Sequence, residues 1–402
     1  MIYSIFFPTL LRAQENSEDH GKSPNIISHY SQLEKLGIFL QAGYKGGFWA
    51  NIRGGIKHGG THLHEIDLSV TLDTGKANWW SNGKFHAQLL SHHGEALLSE
   101  ELVGDSQTVS NIETPHSTRI YQLWYEHRLL DERLSLLFGI HDFNADFAVN
   151  EHGSLFLNSA FGISSDISLA ARPGIFPLAT PGIRARFKPH ESWDFLLGIY
   201  NGDPGDPEVD RHFPGPDFNR RAGALFSVEA SYHFSRNTLP GTYKFGFWKN
   251  TGFFEDVLEV GMAGDPVEHR GNAGWYLMAD KKIIVENNGA QGLGIFVQLG
   301  WTPDEAINEF TSYIGAGLQY TGLLPRRDTD RFGIAVARAA VNDTLRNTTI
   351  RDGAETVLEI TYRAALHPGV FVQPDLQFVF DPGANRNLRH AVAAGVRLDM
   401  AF

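Results

Sequence analysis

LHEIDLSVTLD, residues 63–73, alternates apolar and polar side chains one by one, and this stretch decides the fold. In a half-buried strand successive side chains point to opposite faces, so Ile66 and Leu68 share one face. Glu65 and Asp67 then point to the other face. In a membrane-spanning barrel the apolar face of such a strand meets lipid and its polar face meets a water-filled lumen. The stretch therefore predicts one strand of such a barrel.

The same alternation recurs along the rest of the chain. The C-terminal run, residues 392–402, alternates as far as the terminal Phe402. Further alternating runs lie, in chain order, at residues 85–89, 134–140, 183–187, 193–199, 226–234, 243–247, 293–299, 355–363 and 370–380. Their number predicts an all-β, transmembrane antiparallel β-barrel of about 16 strands, a size that encloses an aqueous channel. Residues 275–285 and 331–341 alternate poorly, which leaves the count open by about two strands.

The composition agrees with such a barrel and excludes several other classes of protein. Of 402 residues, 12% are aromatic and 42 are Gly. No run of about 20 apolar residues exists that could form a transmembrane helix. The absence of Cys excludes disulfides, thiol catalysis and thiolate metal sites. A net charge of -12, without a face rich in Lys and Arg, argues against binding of nucleic acid. A secreted β-sandwich or a β-propeller would have a similar composition.

Aromatic residues and the lengths of the connections favour the barrel over the sandwich. Aromatic side chains near strand ends suit the two membrane interfaces, and the candidates are Tyr44, Trp193, Tyr232, Trp301, Tyr320 and Tyr362. Tight turns, such as the one at 130–132, would lie on one rim. Long polar loops would lie on the other rim, at residues 94–116, 143–180, 201–222, 251–271 and 341–353.

Three parts of the chain follow one another from the N-terminus. Residues 1–13 resemble the end of a secretory signal peptide cleaved after Ala13, with a disordered apolar tail as the alternative. Residues 14–37 form an N-terminal segment, in which the spacing of apolar side chains predicts a short N-terminal helix over 24–36. Residues 38–402 would then form the transmembrane β-barrel pore.

Several segments resemble those of the carbohydrate-selective porins of Gram-negative outer membranes (OprB-like), in order and spacing over nearly the whole chain. They are EIDLSVTLDT (65–74), GDSQTVSNIE (104–113), YQLWYE (121–126), SLFLNSAFG (154–162), EITYR (359–363) and VQPDLQ (372–377). The resemblance implies a barrel of about 16 strands, passive diffusion of sugars such as glucose, and no cofactor. Phe402 matches the terminal aromatic residue that the outer-membrane assembly machinery recognises in such proteins. Residues 39–53 and the stretch near His58 depart from the family pattern, which leaves the range of sugars open.

The polar faces of the predicted strands supply candidates for the pathway of a sugar. Sugars carry hydroxyls and apolar C–H faces, so charged, amide and aromatic side chains would contact them. The candidates are Glu65, Asp67, Trp124, Glu126, Asn158, Arg184, Arg186, Glu359, Arg363 and Asp375. Opposed arginines and carboxylates would orient neutral polar solutes with little net barrier. The alternative for each side chain is a structural role in ion-pair networks that brace the wall.

The connection 143–180 is the candidate for a constricting loop folded into the barrel, because it is long and apolar at its centre. Asn144, Asp146 and Asn150 would line the narrowing. Diffusion would then depend on steric fit, electrostatics and binding weak enough to permit exit.

Other functions compete with a sugar pore. His58, His62 and His64 lie near Glu65, but spacing without context is a weak sign of zinc, and no metal site is predicted. An outer-membrane barrel enzyme acting on lipid is a second alternative, although no Gly-x-Ser-x-Gly motif occurs. An unselective general diffusion porin is a third. The expected partners are permeating sugars, outer-membrane lipids and the assembly machinery, and a monomer and a homotrimer are both open.

Overall fold

The structure of this chain, a computed structural model, describes residues 32–95, 97–212, 221–236, 239–262, 264–349 and 351–402. Within these residues, sixteen strands form a closed barrel in which each strand pairs antiparallel with the next and β16 with β1. The strands are β1 (Ile38–Gly55), β2 (Gly59–Asp73), β3 (Gly83–Gly94), β4 (Ser117–Leu129), β5 (Leu134–His141), β6 (Thr180–His190), β7 (Trp193–Asn201), β8 (Ala224–Arg236), β9 (Leu239–Val260), β10 (Pro266–Lys282), β11 (Gly292–Trp301), β12 (Phe310–Thr321), β13 (Arg331–Val341), β14 (Ala354–His367), β15 (Val370–Phe380) and β16 (Arg389–Ala401). The predicted all-β barrel and its strand count are confirmed.

The strands turn their apolar side chains outward, as the period of two predicts. On β2, Ile66 and Leu68 are 40% and 48% exposed, whereas Glu65, on the opposite face, is 3% exposed. Closure of the ladder through β1 and β16 pairs the backbone groups that an open sheet edge would leave unpaired. An apolar outer wall without an edge is the form in which a sheet can span a bilayer.

The two rims of the barrel differ in their connections. At the turn rim, β4 and β5 are joined through residues 130–133, and β14 and β15 through residues 368–369. Ile38 and Phe402, the beginning of β1 and the last residue of the chain, also lie at this rim. The opposite rim, the loop rim, carries the connections from β3 to β4 and from β5 to β6.

The prediction of a loop at 251–271 is wrong, because this segment is a hairpin. β9 runs to Val260 and β10 begins at Pro266, and Glu255 pairs with Glu268 beyond the ends of the neighbouring strands. The segment lacks the clear apolar alternation that reveals the other strands. The backbone ladder nevertheless continues.

Helical structure is limited to short segments. A helical turn at 32–35 precedes β1, while most of the helix predicted over 24–36, and all of residues 1–13, lie outside the described residues. Two further short helices are Ser165–Ser168 and Asp343–Thr348. No helix in the described ranges is long and apolar enough to cross a membrane.

Two connections fold from the loop rim into the barrel. We call residues 142–179 the long inner loop and residues 97–116 the short inner loop. Phe147 of the long inner loop packs in one cluster with Trp248 of β9, and Phe156 packs in another with Ala337 of β13. All four side chains are fully buried, and burying one such aromatic ring stabilises by about 1.5–3 kcal/mol. The barrel is therefore partly filled by a core of its own loops.

This filling explains the segment 331–341, which alternates poorly in the sequence. The segment is strand β13, and its inward side chains include Ala335, Ala337 and Ala339, all buried against the long inner loop. Inward residues here meet apolar loop side chains instead of water. The polar half of the alternation is consequently missing.

Candidate solute pathway

Carboxylates of the wall hold the long inner loop in the barrel. Glu359 on β14 accepts hydrogen bonds from the backbone N–H groups of Leu157 and Asn158, at 2.7 Å and 2.9 Å. Glu229 on β8 accepts one from the backbone of Ala148 at 2.8 Å. A carboxylate that accepts backbone N–H groups satisfies loop donors that would otherwise be buried without a partner. The loop is thereby attached to the wall at both β8 and β14.

The short inner loop is held in the same manner. Glu355 on β14 accepts hydrogen bonds from the backbone N–H groups of Ser106 and Gln107, both at 2.9 Å. Arg397 on β16 donates to Asn111 Oδ1 at 2.8 Å. Both inner loops therefore contact the β14–β16 wall.

A continuous row of ion pairs joins β4, the long inner loop, β6 and β7. Arg184 donates to Glu126 Oε1 at 3.0 Å and to Asp146 Oδ2 at 2.6 Å. Arg186 lies 3.4 Å from Asp146 Oδ1 and 3.1 Å from Asp194 Oδ2. Burial alone would raise the pKa of Asp146, but the guanidinium groups of Arg184 and Arg186 outweigh it and hold that pKa below its usual range. The two guanidinium groups thus favour the charged form of Asp146.

The structure places half of the predicted pathway residues out of reach of a solute. Glu65, Asn158, Arg184, Glu359 and Asp375 are at most 5% exposed. The carboxylate of Glu65, for example, contacts Lys45 and His92. Sequence alternation places the four strand residues of this group inward correctly, and Asn158 belongs to the long inner loop itself. An inward side chain meets water only where no loop covers it.

The other predicted pathway residues keep some contact with the open lumen. Arg186 and Arg363 have 28% and 24% of their side chains exposed, and Glu126 has 13%. Asp67 and Trp124 are half-buried. The guanidinium carbon of Arg363 lies 3.7 Å from the centre of the Phe371 ring, and Arg363 Nη2 lies 3.1 Å from Asp399 Oδ2.

The predicted constricting residues lie in the loop that folds inward, but two of them are buried. Asp146 is 9% exposed and Asn150 is 5% exposed. Asn144 is half-buried and donates to the Phe147 carbonyl at 3.0 Å. That this loop sets the narrowest point stays a prediction.

A polar surface on β2, β3 and β4 includes three residues that were not selected from the sequence. His86 and Trp124 stack with ring centroids 4.7 Å apart and planes inclined by 22°. Beside them, Gln122 donates to Gln88 at 2.7 Å, and Gln88 donates to Asp67 at 2.9 Å. All five side chains are half-buried. His86 and Gln88 stand opposite the apolar residues of the run 85–89, so its alternation alone could have identified them.

The histidines considered as zinc ligands do not converge with Glu65. His62 and His64 share the outward face of β2, whereas Glu65 faces inward. Within the part of the chain that the structure describes, no group of three or more His, Cys, Asp or Glu side chains is arranged to hold a metal ion.

Comparison with known proteins places this barrel in a family. The profile described as carbohydrate-selective porin, OprB family, matches residues 57–402. The chain belongs to this family. The porin is 25% identical to Porin B of Pseudomonas aeruginosa, over 92% of this chain and 89% of that protein.

Solved structures agree with the fold. The high-pH structure of OprB from Pseudomonas putida gives a TM-score of 0.84 at 21% identity, covering 94% of this chain and 97% of that chain. The low-pH structure of the same protein gives 0.62 at 18% identity, covering 96% and 100%. The porin is therefore a carbohydrate-selective diffusion channel integral to the Gram-negative outer membrane, and not an enzyme.

Proposed function

We propose that neutral monosaccharides such as glucose pass along the lumen wall formed by β2, β3 and β4. The observation that carries this proposal is the surface of His86, Trp124, Gln122, Gln88 and Asp67. A pyranose has apolar C–H faces that pack on aromatic rings, and hydroxyls that both donate and accept hydrogen bonds. The side-chain amides of Gln122 and Gln88, which are hydrogen-bonded to each other, offer both donors and acceptors. The surface therefore matches both aspects of a sugar.

Charged groups elsewhere in the lumen support selection of neutral solutes. Arg186 is partly exposed on β6, and Asp67 on β2 carries the opposite charge. Arg186 and Asp67 each already have a protein partner. A sugar hydroxyl can therefore form a hydrogen bond with either group and leave again without leaving that charge unpaired. A charged solute would have to displace these partners. Weak, shared contacts also permit exit from the channel.

Liposome swelling with purified porin tests the proposal. Rates are compared for glucose, xylose, maltose and an amino acid of similar size, for wild type and for Trp124→Ala. We expect wild type to favour glucose over the amino acid, and the variant to reduce this preference by about threefold or more, the equivalent of one aromatic contact.

Trp193→Ala is the matched control, because Trp193 lies on the outer wall and is 42% exposed there. It should leave the preference unchanged. Equal rates for all solutes through wild type would contradict the proposal and favour the general diffusion porin. An unchanged preference in Trp124→Ala would remove β4 from the pathway.

We also infer that Phe402 is the assembly signal recognised by the outer-membrane assembly machinery. Its side chain is 74% exposed, while its backbone N–H donates to the Ala42 carbonyl at 2.9 Å. The ring is thus presented at the turn rim by a paired backbone. Phe402→Ser should lower the yield of folded barrel in cells. Phe380→Ser should not, because Phe380 is an outward aromatic residue at the loop-rim end of β15.

A further inference from the structure

A cavity of about 510 Å³ lies at the loop rim, away from the surface of β2, β3 and β4 described above. Its wall includes Arg172 of the long inner loop, Asp203 of the connection from β7 to β8, and Phe253 and Glu255 of the hairpin formed by β9 and β10. Pockets that bind small molecules measure about 300–1,000 Å³. The cavity is therefore large enough to hold a sugar.

Arg172 brings hydrogen-bond donors to this cavity. Its guanidinium carbon lies 3.9 Å from the centre of the Phe254 ring, and its Nη2 donates to the Phe253 carbonyl at 2.8 Å. These two contacts hold the guanidinium plane in one orientation. The group has five N–H donors, and within the described residues it makes only this hydrogen bond with the protein. Further donors are therefore available to a ligand.

Two carboxylates beside Arg172 bring acceptors. Asp203 is half-buried, and its Oδ1 accepts from the backbone N–H of Gly205 at 3.0 Å. Glu255 is exposed, and its side chain forms no hydrogen bond or ion pair with the part of the chain that the structure describes. Both carboxylates attract the positive charge of Arg172. A ligand that donates and accepts hydrogen bonds would find partners for both roles here.

Apolar surface and charge narrow the class of ligand. Leu169 is 50% exposed and lies in the cavity wall with the half-buried ring of Phe253. The C–H faces of a pyranose pack on such surfaces. The wall carries two arginines and three carboxylates, because Glu268 also lies there, paired with Arg221. This balance disfavours an anion, so a neutral sugar fits the cavity better than an acidic one.

We propose that this cavity captures a neutral sugar at the loop rim before the sugar enters the lumen. The inference rests on the proposed function, in which neutral sugars are the solute, and adds a second site to the surface of β2, β3 and β4. The long connections of outer-membrane barrels face the cell exterior, so the cavity lies on the side from which sugars arrive. Binding there raises the sugar concentration at the entrance, and a few exposed contacts keep it weak enough for release.

Ligand-observed NMR, by saturation transfer from the full chain in detergent to glucose, tests the proposal. Arg172→Gln and Glu255→Ala each remove a charged group that would bond the sugar, which should weaken binding by about tenfold or more. Glu255→Ala separates binding from folding, because the exposed Glu255 side chain holds no other described part of the protein in place. Binding should persist in Trp124→Ala, since Trp124 lies on the other surface. Gluconate should bind wild type more weakly than glucose does.

Glu259→Ala is the matched control, because Glu259 is an exposed carboxylate on the same hairpin that lies outside the cavity wall. It should bind glucose as wild type does. Unchanged binding in both cavity variants, complete loss of binding in Trp124→Ala, or equal binding of gluconate would each overturn the proposal. Liposome swelling of wild type reports separately on the proposed function, since equal rates for glucose and the amino acid would contradict that function whatever the NMR result.

Discussion

Arg184 on the barrel wall donates from Nε to Asp146 Oδ2 over 2.6 Å, and this contact joins strand β6 to the loop folded inside the barrel. Arg184 is 4% exposed, and its other nitrogens donate to Ser135 and Glu126. It acts as a support for the loop, whereas the neighbouring Arg186 keeps part of its side chain in the open lumen.

Replacing Arg184 with Met, which fills a similar volume, should release the long inner loop. Removing one partner of a buried ion pair costs about 3–5 kcal/mol when the other charge is left uncompensated. Asp146 keeps Arg186 as a partner, so we expect a loss at the lower end of this range. Single-channel conductance should rise and sugar preference should weaken. Arg186→Met should change preference with a smaller effect on thermal stability, because Arg186 is more exposed. Equal stability losses in the two variants would contradict this division of roles.

Glu359→Gln should weaken the attachment of the same loop to β14. The carboxylate accepts from Leu157 and Asn158 with separate oxygens, and a carboxamide would turn its NH2 group toward one of these donors. One unsatisfied buried donor costs about 1–3 kcal/mol. Thermal unfolding in detergent and the rate of proteolysis within 142–179 measure the effect. The control Glu132→Gln, whose side chain is 65% exposed at the turn rim, should alter neither.

The short inner loop should be docked more firmly at acidic pH. Burial, followed by the nearby Glu113 carboxylate, raises the pKa of Asp105 to about 7, and burial raises that of Glu113 to about 7. In a loop released from the barrel, both carboxyl groups would have a pKa of about 4. The docked state therefore binds more protons, and its stability falls as pH rises from about 4 to about 7.

Proteolysis within 97–116, followed from about pH 4.5 to about pH 8, measures this dependence. We expect faster cleavage at the higher pH. Asp105→Asn should reduce the slope of the profile, because an amide does not titrate and only Glu113 of the two carboxyls would remain. A wild-type profile that is flat, or that shows the opposite slope, would contradict the assignment.

An added charge should destabilise the barrel at one residue of β2 but not at its neighbour on the opposite face. Leu68 is 48% exposed on the outer wall, and Ser69 faces the lumen. Leu68→Arg should destabilise the barrel in lipid vesicles by about 2–4 kcal/mol if it lies near the bilayer midplane. Ser69→Arg should leave stability nearly unchanged and alter conductance. Folding in vesicles titrated with urea compares the two, and similar stability losses would contradict the assigned faces.

The residues open to a sugar could be predicted only in part. Alternation identified Asp67, Trp124, Arg186 and Arg363 as inward, and the structure leaves all four partly exposed. The same rule selected Glu359, which is 0% exposed. The difference arises from loop packing, because Glu359 lies under the long inner loop.

The sequence by itself determined the barrel and the faces of the clearly alternating segments, because a period of two along short segments is a local property of the chain. The exact strand count needed the closed ladder, since residues 331–341 lack a clear alternation. The tertiary structure alone decided which inward side chains meet water and which hold the inner loops. Contacts such as that between Arg184 and Asp146 join residues 38 positions apart. Burial of a given side chain depends on how a distant loop packs, and no local pattern records that packing.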